Sequence, residues 1–219
     1  MNQTRGEIIK HCFFAAFGLA TFATGVYLTI QANIGVAPWD CLFLGVEKTF
    51  GMKYGNVAVM TSLLVVAIDL LLKERIGLGT LIDAVFTGKV VDFLNWLDLV
   101  PQQTSVILGV CMMIAGLFLN GLGQFIYMRV ALCCGPRDGM IVGLSKKLKG
   151  VPIGIVGVMI MAVVLFFGWM LGGPIGIGTI IGASLMAPIM QLVFKLLHFD
   201  AEAVQHQDLL ASGKILLGK

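Results

Sequence analysis

Two short segments carry the same order of residues, Pro38-Trp39-Asp40 and Pro136-Arg137-Asp138, and each leads into a stretch that ends near lysine. Proline suits the first position of a helix, since the N–H it lacks would have no partner there. An aspartate two residues later reaches the unpaired N–H groups of that helix start and favours its positive end. An ion or a small polar solute is held by the same kinds of group. Asp40 and Asp138 therefore have two readings: they cap helices and do nothing else, or they stand beside a cavity and bind. Trp39 and Arg137 occupy the same place in the two copies and differ in kind. That difference would separate a gate from a binding group, unless Arg137 meets phosphates at the cytoplasmic face.

A third acid, Asp83, lies in an apolar run together with Lys89 and Asp92. Ionisable groups in such runs are expensive and normally face a partner or a wet cavity. Lys89 and Asp92 are one helical turn apart and would form an intramembrane ion pair. Asp83 has no partner one turn away among Gly79, Thr80, Phe86 and Thr87. It reads as a proton carrier or cation contact, or as a group paired across helices. Asp69, one turn from Lys73, reads as a solvated interface charge.

The elements that must position these groups follow from composition. Hydrophobic residues make up 58% of the 219 and charged ones only 12%, where a soluble domain carries about 25% charged residues. Too little polar surface remains to cover a globule in water, which disfavours a soluble enzyme, a nucleic-acid binder and a secreted disulfide scaffold. Runs of about 20 apolar residues, enough to cross a bilayer, fall at about 12–30, 54–72, 76–97, 105–128, 152–171 and 175–197. The segments 38–50 and 136–148 are too short to cross and read as half-helices, either re-entrant or interfacial. Residues 198–219 form a tail.

The chain also resembles itself. Pro, Asp and Gly of 38–45 recur in 136–143, 98 residues on, and Ile76-Gly77-Leu78-Gly79-Thr80 recurs as Ile175-Gly176-Ile177-Gly178-Thr179, 99 residues on. Each repeat, 1–98 and 99–197, holds three spans with a half-helix between its first two. Three is odd, so the second copy enters the membrane upside down. The expected fold is all-α: a polytopic membrane protein of six transmembrane helices in two inverted three-helix repeats. With the N-terminus inside, twelve Lys and Arg fall in cytoplasmic segments and two, Lys48 and Lys53, in outer loops. Both termini are then cytoplasmic. In the Gly-x-Gly-Thr motif, Gly77, Gly79, Thr80 and Gly176, Gly178, Thr179 would pack closely against another helix, with the Thr hydroxyl returned to backbone, or expose backbone to a ligand.

No nucleophile elbow, phosphate loop or His-Glu-x-x-His pattern occurs, and Cys12, Cys41, Cys111, Cys133 and Cys134 lack metal spacing. No catalytic residue, metal or cofactor is implied. Gly35-Val36-Ala37-Pro38-Trp39-Asp40, the Ile76–Thr80 motif and Gly88 with Asp92 resemble the YczE/YyaS/YitT-type family of bacterial integral membrane proteins. Cys134-Gly135-Pro136-Arg137-Asp138 resembles that family's second copy. The resemblance covers roughly residues 10–197 and implies a bacterial inner-membrane protein and a transporter, with no substrate attached. The expected function is a small secondary transporter of a cationic or amine-bearing solute, with proton coupling. Its site would hold Asp40, Asp83, Asp138, Trp39 and Arg137. Expected partners are the lipid bilayer, the solute or ion, and a second copy in a homodimer; nucleic acid is not expected. A non-transporting scaffold or assembly factor, or a small channel, is the alternative.

Overall fold

The computed structural model describes residues 5–74, 76–130, 135–148 and 150–199. The tail beyond 199, Arg75, Lys149, Cys133 and Cys134 lie outside the described residues. Among those residues the chain forms eight helices: α1 Arg5–Gln31, α2 Pro38–Phe50, α3 Tyr54–Leu72, α4 Leu78–Leu97, α5 Val106–Arg129, α6 Pro136–Lys147, α7 Ile153–Met170 and α8 Ile177–Leu196. No strand occurs among them.

Long apolar runs form helices because a helix satisfies its backbone without water. Five of the eight, within α1, α3, α5, α7 and α8, are long and apolar enough to cross a bilayer. Helix α4 matches them in length at 20 residues but carries Asp83, Lys89 and Asp92. The short helices α2 and α6 have 13 and 12 residues. At 1.5 Å per residue each reaches about 20 Å, well short of the roughly 30 Å hydrocarbon core. Large apolar side chains face outward along the long helices, among them Phe17, Leu64, Ile107, Phe166 and Ile180. Water does not tolerate such a surface and lipid requires it. The chain is a multi-pass membrane protein.

Helix bounds recur along the chain. Pro38 and Pro136 open the short helices, Tyr54 and Ile153 open α3 and α7, and Leu78 and Ile177 open α4 and α8. Packing recurs with them. Helix α1 lies on α4 as α5 lies on α8, and α2 lies on α7 as α6 lies on α3. The most extensive contact joins α1 to α5, and glycine makes it possible. A Cβ on Gly18 would lie 2.7 Å from Tyr127 N and 2.9 Å from Gly123 O, and one on Gly123 would lie 2.6 Å from Gly18 O. Further along, a Cβ on Gly25 would lie 2.5 Å from Gly116 O, and one on Gly116 would lie 2.7 Å from Gly25 O. The two pairs run in opposite directions along the two helices, so α1 and α5 are antiparallel.

The core has three parts. Phe43, Tyr54, Val57, Ala58 and Val91 fill the first half, with Ala23 and Val26 of α1. Ala15, Leu19 and Tyr127 join α1 to α5. Met113, Leu117, Ile189 and Val193 join α5 to α8.

Because backbone atoms oppose Gly123, no rotamer change relieves a larger side chain there. Gly123→Leu is expected to destabilise the protein by at least the about 3 kcal/mol at the upper end of overpacking costs. A lipid-facing change such as Leu64→Ala should leave stability nearly unchanged. Thermal unfolding of both variants in detergent checks this.

Candidate functional site

The two short helices start alike. Ala37 before α2 has φ −61° and ψ 157°, and Gly135 before α6 has φ −62° and ψ 157°. Their starts meet. The Arg137 guanidinium carbon lies 5.0 Å from the centre of the Trp39 ring and 5.2 Å from that of Phe43. An arginine over an aromatic face is stabilised by the ring quadrupole, the more so where water is absent. Arg137 also interacts electrostatically with Asp40, Asp83 and Asp138.

The three carboxylates differ in setting. Asp40 is buried, with 6% of its surface exposed, and its Oδ1 accepts a 2.8 Å hydrogen bond from the Tyr54 hydroxyl. Tyr54 is the first residue of α3, so this bond ties the start of α2 to the next helix. Asp83 is half-buried, and its Oδ1 accepts a 2.6 Å bond from Thr87 Oγ1. Asp83 thus does have a partner one turn away, contrary to expectation: Thr87 of its own helix. Asp138 is exposed. Gly135 lies between the two: a Cβ there would be 2.9 Å from Asp83 Oδ2 and 3.9 Å from Asp138 Oδ2. The fold therefore brings Trp39, Asp40, Asp83, Arg137 and Asp138 to one place, with three acids around one arginine.

Lys89 and Asp92 are not paired with each other. Lys89 Nζ donates to Asn56 Oδ1, and Asp92 Oδ1 accepts a 2.7 Å bond from the Gly55 N–H. Both partners lie in the first turn of α3, where N–H groups have no acceptor within the helix. That helix start attracts Asp92 more effectively than Lys89 does one turn away. The Glu47 carboxylate of α2 is influenced by the Tyr54 N–H at the same start. These charges of α4 hold the start of α3, next to the Tyr54 that bonds Asp40.

Asp69 is not a solvated interface charge. Only 2% of its surface is exposed, and its Oδ1 has no hydrogen-bond partner. It faces α6, where a Cβ on Gly139 would lie 3.0 Å from Asp69 Oδ2. Lys73, its neighbour one turn on, is exposed. The signal in sequence is Gly139 itself, which stands where the first copy has Cys41 and leaves room for a carboxylate. Tyr54, Asn56 and Phe43 left no such local trace, because each acts on another helix.

The Gly-x-Gly-Thr motifs behave alike. Thr80 Oγ1 accepts from the Gly77 N–H and Thr179 Oγ1 from the Gly176 N–H, each at 3.3 Å. The Gly178 N–H donates to Ile34 O at 2.7 Å, and a Cβ on Gly35 would lie 2.8 Å from the Gly176 Cα. Gly35 also has φ +102°, which L side chains rarely adopt. The start of α8 is thus pressed against the segment that leads into α2.

Two cavities flank the bundle. One of about 340 Å³ is lined by Asn33, Glu47, Lys48 and Gln102 with neighbouring backbone. The other, about 490 Å³, is an apolar groove between α5 and α8. Neither is lined by Asp40, Asp83 or Asp138. No group of three or more His, Cys, Asp or Glu able to hold a metal occurs among the described residues.

Tyr54→Phe leaves one oxygen of a buried acid without its donor. The expected loss is about 1–3 kcal/mol, and in a double-mutant cycle it should be largely absent when Asp40 is already alanine. Chemical or thermal denaturation of the four proteins measures that coupling.

Similarity places the geometry in a wider group. The chain is 29% identical over 187 residues to the "uncharacterized membrane protein YczE" of Bacillus subtilis, covering 84% of this chain and 86% of that one. It is 29% identical over 194 residues to YyaS of the same organism, covering 84% and 94%. An uncharacterized protein of Haemophilus influenzae is 26% identical over 181 residues, covering 83% and 82%. No solved structure matches. A family model described as a family of unknown function, DUF6198, matches residues 9–195. The match takes in all eight helix starts but that of α1, together with the meeting point of α2 and α6, and the chain belongs to this YczE/YyaS-type family of membrane proteins.

Proposed function

We propose that the protein is a small secondary transporter with six crossings, α4 being the sixth, arranged as two inverted repeats. The observation that carries this reading is the meeting of two short-helix starts around Arg137, with Asp40, Asp83 and Asp138 about it, inside an apolar bundle. Broken helices whose starts converge between repeats are a recurrent way to build a solute site in a bilayer. The exchanged packing of α2 on α7 and α6 on α3 supports the inverted relation. So do the reciprocal glycine pairs, because a two-fold operator turns each contact of residue i with j into one of j with i.

Acids outnumber the single arginine at this place, so the favoured solute is a cation, an amine-bearing molecule or a proton. Asp83 and Asp138 are the accessible members, and Asp40 with Tyr54 holds the frame. Excess lysine and arginine in the α3–α4, α5–α6 and α6–α7 segments puts both termini in the cytoplasm of a bacterial inner membrane. A homodimer would supply bulk that six spans lack.

Protein reconstituted in liposomes under an imposed proton or solute gradient tests the reading. The solutes to try come from an untargeted metabolite comparison of cells with and without the protein. Saturable flux is expected, and Asp83→Asn should reduce it at least about tenfold, since an intramembrane acid on the path has no substitute. Unsaturable flux would indicate a channel. No flux of protons or any solute, with Asp83→Asn cells unchanged, would sink transport. It would leave a scaffold that assembles other membrane proteins, a reading favoured by one observation: neither cavity reaches the acids.

A further inference from the structure

The two halves of the chain share their helix bounds but differ at one contact. In the first half α3 and α4 are closed against each other. Gly55 and Gly88 are buried, and a Cβ on Gly88 would lie 2.9 Å from Ala58 Cβ and 3.0 Å from Gly55 O. Asp92 accepts from the Gly55 N–H and Lys89 donates to Asn56 across the same seam. In the second half the corresponding helices, α7 and α8, share no comparable face. The counterpart of Gly55 is Gly154, which is exposed, and a Cβ on it would meet nothing within 4 Å. The counterparts of Gly88 and Asp92 are Ala187 and Gln191, and both are exposed.

We infer that α7 and α8 form a gate, open in this structure, that closes as α3 and α4 are closed here: Gly154 against Ala187, with the Gln191 side chain on the Gly154 N–H. The inference rests on the inverted-repeat transporter reading. Three features of this chain carry it. Small residues at both crossing positions, Gly154 and Ala187, permit a close approach that larger side chains would block. Gln191 retains an acceptor where the first half has Asp92, and Gly154 lies in the first turn of α7, where N–H groups lack helical partners. Pro188, inside α8 at the position of Lys89, removes one helix hydrogen bond and provides a point at which α8 can bend. A two-fold operator that exchanges the halves converts the present state into its opposite: α3 and α4 part, α7 and α8 meet. The charged seam of the first half then sets the bias. Asp92 and Lys89 hold their side shut, and the uncharged second half makes the weaker closure.

The full chain with its five cysteines replaced by serine, carrying Ile155→Cys and Leu192→Cys at exposed positions that flank the crossing and leave Gly154, Ala187 and Gln191 in place, tests this without any solute. A short bis-maleimide should cross-link the pair poorly while the α3–α4 seam is intact. Adding Asp92→Ala should raise the cross-linked fraction relative to the open fraction, and Lys89→Ala should do the same through the other contact. The expected change is about tenfold, the scale of losing one hydrogen bond to a charged group. If Asp92→Ala does not fold, Lys89→Ala alone decides. An unchanged yield in both variants overturns the gate, and so does cross-linking only between copies, which would mean that a second chain covers α7 and α8. Flux in liposomes with an unresponsive pair would remove the gate and keep the transporter. A responsive pair with no flux would keep the motion and remove transport.

Discussion

A helix that begins inside an apolar medium has four N–H groups that its own turns cannot satisfy, and no water is there to take them. Several of the specific contacts in this protein answer that constraint. Asp92 of α4 serves the start of α3. Thr80 and Thr179 serve the starts of α4 and α8, and Ile34 lends its carbonyl to α8. Each solution needs a neighbouring segment at backbone distance, so glycine recurs where helices begin or cross. The short helices make the constraint sharper, because they place two further starts among the others. Gathering several positive helix ends in one region draws acidic side chains to it. The acids draw Arg137, and Arg137 draws the aromatic rings of Trp39 and Phe43.

The pairing of the halves follows from the same economy of contact. Helices α1 and α5 approach through two reciprocal glycine pairs and make the most extensive contact of the bundle. Each short helix also packs more extensively on a long helix of the other half than on the next helix of its own: α2 on α7, α6 on α3. The surface that faces outward needs no specificity, and its Phe, Leu, Ile and Met side chains are chosen by lipid rather than by packing.

Much of this was legible in the sequence, and what was not has a common cause. The helices, the short segments and the Gly-x-Gly-Thr starts are properties of contiguous residues, and their bounds differ from expectation by one or two positions, except that α1 begins seven residues early, at Arg5. Threonine returning to its own helix start is local too, and was anticipated. Asp69 and the Lys89–Asp92 couple were read from neighbours one turn away and were misread for that reason, whereas Asp83 does bond a neighbour one turn on, Thr87. Asp69 faces Gly139 on α6, and Lys89 and Asp92 bond the first turn of α3. A carboxylate in a membrane is satisfied by whichever donor the fold delivers, and a single sequence does not say which helix stands opposite. Gly139 and Gly55 were the local traces of those partners, since a side chain at either would have occupied the space of a carboxylate.

Trp39 offers a consequence of a different kind. The chain has three tryptophans. Trp96 and Trp169 face outward, 77% and 59% exposed. Trp39 is half-buried on α2, with the α6 guanidinium 5.0 Å from its ring. With Trp96 and Trp169 replaced by phenylalanine, emission excited at the indole band would come from Trp39 alone, at the junction of the two short helices. Any separation of α2 from α6 would lift the cation from that ring and alter its emission. The molecule thus contains its own optical gauge of the distance between its halves.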